Sequence, residues 1–239
     1  MANNATLSQL QSFLGSAQAA LPQAQAEIQN IKSQITACQQ KVSSLATQIQ
    51  NKQMTIDGYR TQVNQEERMI HALQQEYSSL IDQAANAQSE EELRAIQERV
   101  KTIRAQAEQH QAKAEQYKAQ MQKAEQEKAQ LVQEQNAWKA KLQQWKSHLS
   151  AFQGKCRQTA THIGRYGSVA RSESVKLNRQ GTAFAQGADG RFRTEMRNAA
   201  QWRSSEAQAA NNLANQLDNV ARGFRSLASA DSNDHEHDR

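Results

Sequence analysis

From Leu21 to Leu80 apolar residues recur at alternating steps of three and four: Leu21, Ala24, Ile28, Ile31, Ile35, Cys38, Val42, Leu45, Ile49, Ile56, Tyr59, Val63, Ile70, Leu73, Tyr77 and Leu80. Only Lys52 and Glu66 break the run with charge. A second run starts at Leu93 and passes through Ile96, Val100, Ile103, Ala107, Ala114, Tyr117, Met121, Ala124, Leu131, Trp138, Leu142, Trp145 and Leu149 to Phe152. His110, Lys128 and Gln135 are its polar members. Seams held in phase over this many heptads are the sequence form of a coiled coil.

The two frames are out of phase with each other. Ser89 followed by Glu90, Glu91 and Glu92 reads as an N-cap, with Glu92 placed for a capping box and acids suited to the first-turn dipole. A turn near 82–89 therefore folds the chain back on itself. Arms of equal length then pair Leu80 with Leu93, Tyr59 with Ala114, Ile35 with Trp138 and Leu21 with Phe152. In that register Glu66 faces Ala107, Val63 faces His110 and Cys38 faces Gln135. Such a hairpin is about 95 Å long at 1.5 Å per residue.

The fold class expected is all-α: a long antiparallel coiled-coil hairpin over 21–153, preceded by a short apolar N-terminal helix over 1–20. Pro22 supplies the break between them. Six of the nine glycines lie between Gly154 and Gly190, predicting a Gly-rich basic joint over 154–190 with one short helix near 168–179 and a loop over 181–190. A C-terminal amphipathic helix over 191–228 carries Phe192, Met196, Ala199, Ala210, Leu213, Leu217, Val220, Phe224 and Leu227. It needs a partner surface, because one isolated apolar stripe does not hold a helix in water. The polar segment 229–239 reads as a disordered tail.

Composition sharpens this picture. Aromatics are 5%, with a single proline, and mean hydropathy is −0.90, so there is little material for a compact core. No apolar run reaches the ~20 residues of a membrane span. Cys38 and Cys156 fall at distant levels of the expected hairpin, which argues against a bridge within the chain and makes a reduced, cytoplasmic setting the expectation.

Net charge is +5, unevenly spread. Between Gly154 and Arg203 ten basic residues face three acids. Arg165, Arg171, Lys176, Arg179, Arg191, Arg193, Arg197 and Arg203 are candidate contacts for phosphate, lipid headgroups or a protein partner. Leu7, Leu10, Phe13 and Leu14 mark an uncharged face that would dock on protein or lie on a membrane. His110 reads as a register-specifying seam residue, Cys38 as a small core residue, and Trp138 and Trp145 as seam knobs. His235 and His237 suggest no more than adventitious metal binding.

No nucleophile–base pair, P-loop or glycine fingerprint is present, so no enzyme activity, cofactor, metal or small-molecule substrate is expected. The order of elements resembles that of the membrane-remodelling ESCRT-III and phage-shock-protein A class: short apolar helix, equal-armed hairpin, glycine-rich joint and terminal helices. The late position of the basic residues departs from that class, and the resemblance carries no residue roles across. It implies membrane binding as one function. The residues themselves point first to a structural coiled-coil element that self-associates into a homo-oligomer or filament. Nucleic-acid binding through 155–203 is the third reading.

Overall fold

A computed structural model describes residues 2–188 and 190–230, with side chains from Thr6 onward. Three α-helices account for nearly all of them: α1 (Ala2–Ala85), α2 (Glu90–Gln186) and α3 (Arg193–Ser229). A single 3-10 turn, Gly190–Phe192, precedes α3. There is no strand among the described residues. The fold is all-α, and α1 and α2 pack closely as a helical hairpin. Residues 231–239, most of the expected tail and both its histidines, lie outside the described residues.

Two expected breaks are absent. Pro22 lies inside α1, so the described part of the expected N-terminal helix, 2–20, is the first part of the long helix and not a separate element. An interior proline costs about 3 kcal/mol. Here Leu10, Leu14 and Ala17 on one side of it, and Ala24 and Ile28 on the other, are all buried in one core. At about 1.5–3 kcal/mol per large buried apolar side chain, that core outweighs the local cost. Likewise Gly154, Gly164 and Gly167 sit within α2, which runs unbroken through the expected joint. The loop expected at 181–190 shrinks to a short connection after Gln186, where Gly190 takes φ +59°, a conformation glycine adopts without strain. The element order behind the ESCRT-III resemblance is thus replaced by three helices.

The chain divides into two compact units. One is Ala37–Lys141, the hairpin proper. Its turn follows the sequence closely: Ser89 Oγ accepts from the Glu92 amide at 3.1 Å, and the Glu92 carboxylate accepts from the Gln88 amide at 2.9 Å. Helix-to-helix register differs from expectation by one seam position. Tyr59 stacks with Tyr117 at 6.5 Å between ring centroids, Glu66 meets His110, and Gln135 Nε2 donates to the Val42 carbonyl at 3.3 Å. Leu73, Tyr77 and Leu80 cluster with Ile96, Val100, Ile103 and Ala107, and Leu93 is left exposed. The slide brings the two polar seam residues Glu66 and His110 together. In the expected register each would have been desolvated against an apolar side chain, at a cost of roughly 1–3 kcal/mol.

The other unit comprises Met1–Thr36 and Leu142–Arg239. Here α3 lies on the start of α1 and the end of α2, making a three-helix bundle. Alanine recurs every seventh residue on its inner face (Ala207, Ala214, Ala221 and Ala228), alternating with Ala210, Leu217 and Phe224. The small residues admit close approach and the large ones fill the space between helices. Ser174 Oγ donates to the Ala207 carbonyl at 2.8 Å, and Phe13 packs on Tyr166 with centroids 4.0 Å apart. Arg157 and Lys32 donate to the carbonyls of Ala228 and Ala230, orphan acceptors at the C-terminal end of α3.

Candidate interaction surface

In the three-helix unit the last turns of α2 and the first turns of α3 run side by side. A Cβ placed on Gly181 would lie 3.2 Å from the Ala200 carbonyl and 3.3 Å from Arg203 Cβ, and one on Gly187 would lie 3.7 Å from Met196 Sδ. Glycine at 181 is therefore what lets the two helices approach this closely. Their shared end carries Arg179 on α2, Arg191 on the 3-10 turn, and Arg193, Arg197 and Arg203 on α3. Three aromatic rings stand out from the same end: Phe192 is 62% exposed, Trp202 51%, and Phe184 is also exposed.

The eight cations anticipated from sequence thus separate. Five gather at this tip. Arg165, Arg171 and Lys176 lie further along α2. Arg171 pairs with Asp218, and Lys176 Nζ lies 3.5 Å from a Glu173 carboxylate oxygen. Arg165 lines a surface groove with Arg157, Thr161 and His162. At the tip Arg203 bonds Glu206 at 2.7 Å and lies over the Trp202 ring at 4.6 Å from its centroid. Arg179, Arg191 and Arg197 make no ion pair among the described residues, and all three are exposed. Phe192 was anticipated as part of the apolar stripe of α3. It escapes because the helix starts at Arg193, two residues later than expected, and Phe192 falls in the 3-10 turn.

The N-terminal apolar face is used within the chain. Leu10 and Leu14 are fully buried in the three-helix core, with Leu7 and Phe13 packed against it. No described helix is long and apolar enough to cross a membrane. Among the described residues no group of three or more His, Cys, Asp or Glu is placed to hold a metal ion.

The hairpin unit has its own distinctive surface, at its turn. Asp82, Glu90, Glu91 and Glu92 are exposed there, beside Ile81 at 48% and Leu93 at 37% exposure. Glu90 bonds Arg94 at 2.9 Å and Glu92 holds the cap. Asp82 and Glu91 form no ion pair among the described residues.

No protein family, curated protein or solved structure matches this chain.

Proposed function

We propose that the protein is a coiled-coil assembly element, a structural and interaction protein that self-associates into an oligomer or filament. The observation that carries this reading is the unfinished seam of the hairpin unit. Two helices alone cannot enclose their interface, so Ile49, Tyr59, Leu131 and Trp138 are only half-buried, and Met54 and Met69 are exposed outside them. These apolar flanks are what a second copy of the hairpin could cover. The membrane alternative is disfavoured by the burial of Leu10 and Leu14, since lipid contact would require both to leave a packed core.

The test is light scattering coupled to size exclusion, run over a range of concentrations, with negative-stain imaging of the same fractions. Assemblies of several copies are expected. A species of 26.8 kDa, the mass of one chain, persisting at tens of micromolar would end this reading.

A further inference from the structure

We infer that copies of the chain join through two different surfaces, the arginine-aromatic tip of one copy seating the acidic hairpin turn of the next. This rests on the self-assembly reading and adds to the hairpin seam a second contact between copies. The two surfaces are complementary in charge. Across 179–204 the sequence has five arginines against Asp189 and Glu195, net three positive. Across 79–95 the turn has Asp82, Glu90, Glu91 and Glu92 against Arg94, net three negative.

They are complementary in apolar character as well. Phe192 and Trp202 stand exposed among the arginines, and Ile81 and Leu93 stand exposed among the carboxylates. Leu93 is informative because it continues the seam pattern and yet is left out of the seam cluster by the observed register. A turn needing only solubility would carry polar residues at both positions. Aromatic and arginine anchors inside a polar rim are the composition of a protein interface.

Because tip and turn are different surfaces, the contact is heterologous. Repeated from copy to copy it builds an open chain unless its rotation closes a ring. Each surface offers fewer side chains than the roughly 20–30 residues a side of a stable complex, so each junction is weak and assembly depends on concentration. Exposed charges steer it, so salt dissolves it.

The test uses two full-length variants whose substitutions spare the bonded residues. Arg191→Glu with Arg197→Glu makes the tip acidic, and Asp82→Arg with Glu91→Arg makes the turn basic. Circular dichroism and thermal melting confirm that both fold. Each variant alone presents like charges on its tip and its turn and is expected to lose the large species that the wild type forms. Mixed in equal amounts, each offers what the other lacks, and large species are expected to return as an alternating copolymer.

Wild-type-like assembly of either variant, or a mixture that stays dissociated, overturns the tip–turn contact and leaves self-association standing through another surface. A wild type that is itself monomeric removes both readings. Should the tip variant assemble normally but lose binding to a fluorescent oligothymidylate that the wild type retains, the tip is a nucleic-acid surface and the inference fails.

Discussion

The carboxylate of Glu66 meets Nδ1 of His110 across the seam of the hairpin, with side chains only 17% and 22% exposed. Neither residue has an apolar reason to be there. Each satisfies the other in a place where a lone polar group would be poorly hydrated. Removing one partner strands the other, so Glu66→Leu or His110→Leu alone is expected to destabilise by about 1–3 kcal/mol. The double substitution to Leu fills the layer with apolar surface and is expected to recover most of that loss or exceed it. Urea denaturation of the four proteins completes the cycle. Additive losses in the double variant would mean that the two residues are not coupled.

A second pair flanks the seam and gives a pH signature. Lys52 Nζ bonds the Glu127 carboxylate at 2.6 Å. That hydrogen bond, and then the ammonium charge itself, hold the Glu127 carboxyl below its usual range. A carboxyl depressed in the folded state contributes stability above its unfolded pKa, near about 4. The contribution fades as pH falls toward the lower folded value. Glu127→Gln should therefore melt below the wild type at neutral pH and close the gap on acidification. A gap independent of pH would show that the pair contributes nothing through charge.

The seam positions were legible from period alone, because a three-and-four alternation leaves no other face for Ile28, Leu45 or Ile103 to bury. The register was not legible in that way. Sliding one arm by a single seam position preserves every a and d assignment, so the choice falls to pairs such as Glu66–His110 and Tyr59–Tyr117 and to the geometry of the Ser89 cap. Helix continuity through Pro22 and Gly164 was hidden for a different reason. Local propensity argues for a break, and only the burial provided by α3, remote in sequence, overrides it. For the candidate surface, the arginines stood out by composition. The joining of Phe192 and Trp202 to them depends on where α3 begins, which the sequence does not mark with a cap.

Burial also shapes the thiols. Cys156 is 3% exposed inside the three-helix core, and burial pushes its thiol above the ordinary range. Labelling by a disulfide reagent is expected to be slow in the native protein and to keep accelerating at pH values where an ordinary thiol, near about 8.5, has levelled off. A Cys38→Ser variant isolates the site. Rapid native labelling at neutral pH would contradict the packing described.

Glycines on the helices separate into two groups by what a methyl group would meet. Around Gly58 in α1 and Gly154 in α2 nothing lies within 4 Å of an added Cβ. Alanine at either position is expected to stabilise by about 0.5–1 kcal/mol through backbone entropy. Gly223 in α3 is different: its Cβ would lie 2.7 Å from Leu21 Cδ2 and 3.1 Å from Cδ1. The same helix-propensity gain is there opposed by overpacking of about 1–3 kcal/mol, so Gly223→Ala is expected to be neutral to destabilising. Trimming Leu21 to Ala removes the obstruction, and in that background Gly223→Ala should stabilise. Thermal unfolding of the two single variants and the double reads this reversal of sign. If Gly223→Ala has the same effect in both backgrounds, Leu21 does not press on α3 at this point, and the close approach of α1 to α3 described above is wrong.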